Sequence, residues 1–346
     1  MPQVRSFNDT SSVSLAIAID DHIARADFAG GKPFKLIPFT TEGYTMQKEA
    51  QSSTAIRGDR RTSGSKNTKG SAAGGFTVEF GSTDWILDIL SLMLLNNWKD
   101  IDDTDPLQGQ YITDGEVKKY MAVEKTIRQG QAATDRLDHE CYYGTIVNEA
   151  TMEFGDGELI TLAVTTISAF ADYTNALAGA TGLGGSLASA KAVPANYEIA
   201  DSSNNLQNIE LYDEDDNLLE LTFSDASLQL QNNAREQSGL SHEFAAGIGI
   251  GKVAANLSGT IYYFDQTVLD THMRNKRMRG ILTISTNEGT FKITFPNLMA
   301  QTPTSNAEGE NQDFTTAITL TAEAGEVEVN GTPVPCIICI EHVPTP

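Results

Sequence analysis

Apolar residues along this chain fall mostly at every second position. Val13, Leu15, Ile17 and Ile19 alternate with Ser and Ala, which places four apolar side chains on one face of a strand. The same period of two returns in Leu219, Leu221 and Phe223, in Leu228 and Leu230, in Leu282 and Ile284, and in Ile318 and Leu320. Turn signals stand between such runs: DEDDN at 213–217, NEG at 287–289 and NG at 330–331. Each predicts a hairpin, so the sheets are expected to be largely antiparallel.

Two segments break the alternation. In STDWILDILSLMLLNNW (82–98), Ser82 or Thr83 can cap a helix, Asp84 suits its positive end, and Trp85, Ile86, Ile89, Met93 and Leu94 form a wide apolar stripe. A second helix is expected over 265–278, with Asp265 as cap, Val268, Leu269 and Met273 as stripe, and a basic C-terminal end. The two helices share their surroundings. Arg57 and Arg60, a polar glycine-rich loop and the strand GGFTVEF precede Asp84. Arg235, the loop HEFAAGIGIGK and the strand KVAANLSGTIYYF precede Asp265. Arg57 and Arg235 stand 178 positions apart, and Asp84 and Asp265 stand 181 apart. Equal order at nearly equal spacing predicts a duplicated domain. The copies would span 1–175 and 196–346, with the Gly/Ala-rich stretch 176–195 as linker.

A length of 346 residues, 40% of them hydrophobic, has room for two such cores. Apolar runs are too short to cross a bilayer, and the first twenty residues do not read as a signal peptide, so a cytosolic place of synthesis and assembly is expected, with no membrane partner. Cys141, Cys336 and Cys339 cannot form a disulfide framework. Asp and Glu number 46 against 24 Lys and Arg, a formal net charge of −22, which excludes a surface built to wrap DNA. Against that background, residues 53–75 are conspicuous: a glycine-rich stretch with five Lys or Arg and one Asp.

Motifs for chemistry fail on their spacing. Cys336-Ile-Ile-Cys339 is half a zinc site with no second half, and reads as two small residues in a buried terminal strand. GIGIGK (247–252) is followed by Val253 and a strand instead of Ser or Thr and a helix. The acidic run 213–216 lacks the Gly and Glu of a calcium loop. Ser241-His242-Glu243 would point alternate ways in an extended segment, so no relay forms. No cofactor, metal or enzymatic activity is expected. A secreted or virion-surface β-sandwich adhesin and, behind it, a polysaccharide-processing enzyme with distant paired carboxylates remain alternatives.

The ordered set SSTAIRGDR, GGFTVEF, DWILDILSLML, YYGTIVNEATMEF, LQLQNNAREQSGL, GTIYYFDQTVLDTHM and GTFKITFPNL resembles the tail tube proteins of long, non-contractile tailed bacteriophages over roughly residues 45–325. The resemblance implies a mainly β fold, an antiparallel sandwich or barrel with a flanking helix, and a self-assembling structural protein of the virion. Its subunits would close into rings around a β-barrel bore and stack into a tube that delivers viral DNA, which passes without specific binding. Tail tip or initiator, tape measure and tail terminator proteins are the implied partners. The resemblance also implies that a long loop or hairpin before the helix reaches the adjacent ring. Residues 57–75 and 232–251 hold that position, so Arg57, Arg60, Arg61, Lys66, Lys69, Arg235, His242 and Lys252 are candidate contacts there. With two tube domains per chain, three chains make a ring of six domains; without duplication, six chains are needed.

Overall fold

The computed structural model describes residues 13–20, 34–56, 58–59, 61, 63–102, 104–105, 108–128, 136–177, 197–263, 266–306, 310 and 312–345. Arg57, Arg60, Asp265 and nearly all of the Gly/Ala-rich stretch lie outside them.

Strands β1 (Val13–Asp20), β2 (Lys35–Ile37), β3 (Thr41–Glu42), β4 (Thr45–Ser53) and β5 (Ser63–Glu79) lead into helix α1 (Asp84–Leu94). After it come β6 (Lys99–Asp100), β7 (Gln110–Thr113), β8 (Tyr120–Arg128), β9 (Arg136–Gly155), β10 (Thr161–Ser168) and β11 (Phe170–Leu177). The chain continues with β12 (Leu206–Tyr212), β13 (Leu218–Leu219), β14 (Phe223–Gln231), β15 (Arg235–Gln237), β16 (Gly247–Gly249), β17 (Ala254–Tyr262) and helix α2 (Thr267–Met273). It ends with β18 (Arg277–Thr286), β19 (Gly289–Ala300), β20 (Thr304–Asn306), β21 (Thr315–Glu323), β22 (Gly325–Val329), β23 (Thr332–Cys336) and β24 (Cys339–Pro344). The fold is mainly β, and every pairing between named strands is antiparallel.

The acidic turn 213–217 joins β12 to β13, the turn at 287–288 joins β18 to β19, and Asn330-Gly331 joins β22 to β23. Asn330 and Gly331 both have positive φ, as a tight hairpin of this kind requires. Other local expectations need correction. Residues 218–223 are not one strand: pairing stops after Leu219 and resumes at Phe223. β1 buries both faces, with Leu15 and Ile17 in the main core and Ala16 and Ala18 against Phe34 and Tyr143. The stretch expected to be a basic loop is mostly strand, since β5 begins at Ser63 and its Ser, Ala and Gly residues pair with β4 on one side and β10 on the other. Glycine is needed there. A Cβ at Gly75 would lie 2.3 Å from the carbonyl oxygen of Val164, and one at Gly74 2.5 Å from Tyr44 Cα.

One order of pairings occurs twice. β1, β8, β9, β10, β5 and β4 are successive neighbours, with α1 between β5 and β8 in sequence. So are β12, β18, β19, β21, β17 and β14, with α2 between β17 and β18. In each set the strands fold over into a sandwich. Leu15, Ile17, Met121, Val123 and Tyr142 share a core with Phe76, Val78, Leu162 and Val164, and Leu211, Leu282, Ile284 and Phe295 share one with Leu228, Leu257, Ile318 and Leu320. A single hydrophobic cluster runs through both sets, from Leu15 to Ile340. β24 adds to it by pairing with β19 on one side and β7 on the other.

Helix α1 is a plug in that core. Its stripe residues Trp85, Ile86, Ile89, Met93 and Leu94 are buried, and Leu90 and Leu92 are buried as well. Leu95 turns out of the helix at φ 50°. The helix-end carbonyls, which would otherwise be unsatisfied, are met from outside the helix. Gly115 N donates to Leu94 O at 2.9 Å, and Asn232 Nδ2 donates to Met93 O at 2.9 Å. Thr83 occupies the N-cap without a side-chain cap bond. Helix α2 is shorter than its sequence pattern: Arg277 and Met278, assigned to its basic end, belong to β18.

Candidate assembly surfaces

Strand alternation builds one long polar face. β5, β10, the second half of β9, β14, β17 and β21 lie side by side in that order. Phe76, Leu162, Met152, Leu228, Leu257 and Ile318 point to the core. The opposite side carries Thr77, Thr161, Thr165, Thr151, Gln229, Gln231, Ser258, Thr319 and Thr321, together with Glu79, Glu149, Glu153, Asp225 and Glu323. No Lys or Arg occurs in the strand segments 71–79, 149–155, 161–168, 223–231, 254–262 or 315–323. Glu149 is held by Gln229 Nε2 at 2.7 Å and Gln231 Nε2 at 3.2 Å, and Glu323 at the strand end by Arg277 at 2.6 Å.

The two like-paired sets meet edge to edge within this face. Residues Glu149–Gly155 of β9 pair with Gln231–Asp225 of β14 without a register break. Just beyond, Asn232 N donates to Asn148 O, Asn232 Nδ2 to Val147 O at 3.0 Å, and Ala234 N to Asn148 Oδ1 at 2.8 Å. β9 reaches both sheets because it is twenty residues long: its first half pairs with β8 and β11, its second with β10 and β14.

The basic candidates are not a single patch. Arg61, Lys66, Arg235, His242 and Lys252 are exposed. Lys69 is 3.6 Å from Glu236 on β15, and Lys48 is paired with Glu243. The β4–β5 hairpin therefore lies against the segment 236–244. Gly70 N donates to Glu243 O at 2.7 Å, and a Cβ at Gly70 would meet the Phe244 ring at 2.6 Å. The acidic partners of Lys48 and Lys69 had no local signal in the sequence, because they lie more than 160 positions away.

Ser241-His242-Glu243 is part of a turn and not an extended segment, with Ser241 at φ 70°. Hydrogen bonds from Asn217 hold the Asp213 carboxyl below its ordinary pKa, and Asp216 pairs with Arg279 at 2.7 Å, so the acidic run is an internally bonded hairpin turn. Cys336 and Cys339 are buried on two strands, β23 and β24, rather than one. Burial pushes both thiols up to about 12, so both are protonated at neutral pH. Among the described residues no group of three or more His, Cys, Asp or Glu is placed to hold a metal ion. No described helix is long and apolar enough to cross a membrane.

The phage tail tube protein family model matches residues 10–324. The chain belongs to this family. It is accordingly a structural component of a phage virion, a tail tube subunit that assembles with others into a tail. The mainly β antiparallel architecture agrees with a tail tube fold. No curated protein matches the chain.

Proposed function

We propose that copies of this chain close head to tail into rings, each chain supplying two tube domains, and that the rings stack into the tube that conducts viral DNA. The observation that carries this is the edge-to-edge pairing of β9 with β14, which joins the like-paired four-stranded units β4–β5–β10–β9 and β14–β17–β21–β20 into one continuous sheet. The domains are those bounded by 1–175 and 196–346. In support, the last residue of β5 and that of β17, and the first residues of α1 and α2, are each 183 positions apart. Eight strands from each of three chains would close a barrel about 50 Å across between backbones, at a strand spacing of about 4.8 Å and a tilt of about 40°. Three chains per ring follow, with six as the alternative.

The polar face is then the bore. Glu79, Glu149, Glu153, Asp225 and Glu323 would repel phosphates over a Debye length of about 8 Å, so DNA slides without adhering. Arg61 and Lys66, exposed on the β4–β5 hairpin, are the basic contacts towards acidic surface on the next ring. Tail tip or initiator, tape measure and tail terminator proteins complete the assembly, formed in the host cytoplasm.

Negative-stain electron microscopy of the purified chain over a concentration series tests this. Hollow tubes with threefold end-on averages are expected; sixfold averages would remove the duplication, and solid fibres would remove the bore. Micrographs of an Arg61→Glu, Lys66→Glu variant address stacking. Rings that no longer stack support the inter-ring contact, and tubes of unchanged length end it.

A further inference from the structure

Among the described residues, each chain contains one joint between like-paired units and also carries the two unmatched halves of another. In the first unit, Ile146 and Val147 of β9 stand opposite Ile167 and Thr166; the register then slips by one, and Thr151 faces Ala163. In the second, Met299 and Ala300 of β19 stand opposite Thr321 and Leu320; the register slips by one, and Thr304 of β20 faces Ala317. Residues 302–306 thus occupy the place of 149–153, down to the bulge. The outer edge of 149–153 takes β14, whereas among the described residues no strand pairs with the outer edge of β20.

The complementary half lies at the other end of the sheet. Thr41 faces Thr77 and Thr45 faces Ala73 on β5, just as Asp225 faces Thr260 and Gln229 faces Asn256 on β17. Residues 41–47 therefore correspond to 225–231, and among the described residues their outer edge is unpaired. Tyr44 is buried and Met46 half-buried, as the corresponding Leu228 and Leu230 are buried, while Thr45 and Gln47 point away like Gln229 and Gln231.

Burial gives an independent sign. Phe80 N donates to Ile160 O, and at the corresponding place Tyr263 N donates to Phe314 O. Phe80 and Ile160 are 1% and 0% exposed, covered by the segment 197–200 of the second unit, whose Ala200 donates to Phe80 O and accepts from Ile160 N. Tyr263 and Phe314 are 38% and 42% exposed. Ile86 and Leu90 on α1 are buried, whereas their counterparts Leu269 and Met273 on α2 are 43% and 71% exposed. Tyr263, Leu269 and Phe314 line a cavity of about 340 Å³ that opens beside Pro303 and Ser305 of the bare edge. Among the described residues, the apolar cluster lacks the neighbour that its twin has.

We propose that a second copy of this chain is that neighbour: residues 43–47 of one copy add antiparallel to residues 302–306 of the next, repeating the β9–β14 register. Gln47 then lies opposite Thr302, Thr45 opposite Thr304 and Gly43 opposite Asn306, and the incoming chain covers the apolar cluster. The two edges differ, so the joint is heterologous and runs round a ring. Pro303 adds packing but no N–H donor, and a proline on a bare edge discourages indiscriminate pairing before assembly. This joint rests on the tube-subunit reading.

Two experiments test it. With Thr45→Cys and Thr304→Cys in one chain, oxidation after assembly should give a covalent ladder. An equal mixture of the two single variants should stop at dimers, and self-dimers of either single variant would overturn the joint. Cys141, Cys336 and Cys339 are buried and stay out of this reaction. Hydrogen exchange on the unsubstituted protein needs no variant to fold: the amides of Tyr44, Met46 and Ser305, which alternate with those already bonded inward such as Gly43 N to Gly75 O, should exchange at least about tenfold more slowly in rings than in free chains. Rings or tubes in which these amides gain no protection overturn the joint while leaving the tube reading intact. A chain that forms neither ring nor tube, even when seeded with tail tips, overturns both.

Discussion

His342 sits where three parts of the chain meet. Its Nε2 is 2.9 Å from Ser82 Oγ at the entry to α1, and its ring centroid is 4.5 Å from that of Phe291 and 6.5 Å from that of Trp98. Burial disfavours the imidazolium and holds the pKa below the ordinary 6.5. As pH falls through 6.5 the unfolded chain takes up a proton that the folded chain refuses, so this group's contribution is complete above that value and declines below it. The denaturant midpoint should therefore fall on acidification below about pH 6.5, and His342→Gln should flatten part of that fall. An unchanged slope in the variant would assign the acid sensitivity to other groups. Nothing near His342 in sequence announces this role, because Ser82 and Phe291 reach it from 260 and 51 positions away.

Helix α1 was legible and α2 only partly so, for a physical reason. The α1 stripe repeats at helical spacing over eleven residues, and local periodicity is sufficient to define an element that is buried on nearly every side. α2 has seven residues, and the expected helix ran into a strand because the basic residues after Met273 resemble a helix end while Arg277 and Met278 pair with Met299 and Leu298. Ile89→Ala should cost about 2–5 kcal/mol, read as a lower midpoint in denaturant, since Ile89 is 1% exposed and its removal leaves a cavity within the packed core. The loss should appear in one transition monitored by probes in either half, because the core is continuous from Leu15 to Ile340. Two separate transitions would show that the units unfold independently.

At the scale of the whole molecule, charge is sorted by face. Lys and Arg are absent from the strand segments 71–79, 149–155, 161–168, 223–231, 254–262 and 315–323 that form the long polar face, while carboxylates stand at Glu79, Glu149, Glu153, Asp225 and Glu323. Assembled tubes of the unsubstituted chain should not retain duplex DNA. Tubes carrying Glu79→Lys and Glu153→Lys should co-sediment with it at about 50 mM salt and release it by about 200 mM, as phosphate neutralisation by lysine predicts. If the variant tubes ignore DNA at low salt, these strands do not face the bore. The acidic composition pointed to this property, but not to the residues that express it, since any of the 46 carboxylates was eligible until the strands were placed.

The sequence by itself determined what depends on neighbours a few positions apart: most of the alternating strands, their antiparallel pairing through tight turns, and the buried stripe of α1. Tertiary structure alone decided which edges meet. β9 passes between two sheets, β14 crosses to β9 over some seventy positions, and the basic glycine-rich stretch becomes strand, with Lys48 and Lys69 placed against Glu243 and Glu236. Strand periodicity reports which face of a strand is buried, but the unpaired N–H and C=O groups along its edge are alike for every sequence, so the partner is chosen by packing that exists only once the chain has folded.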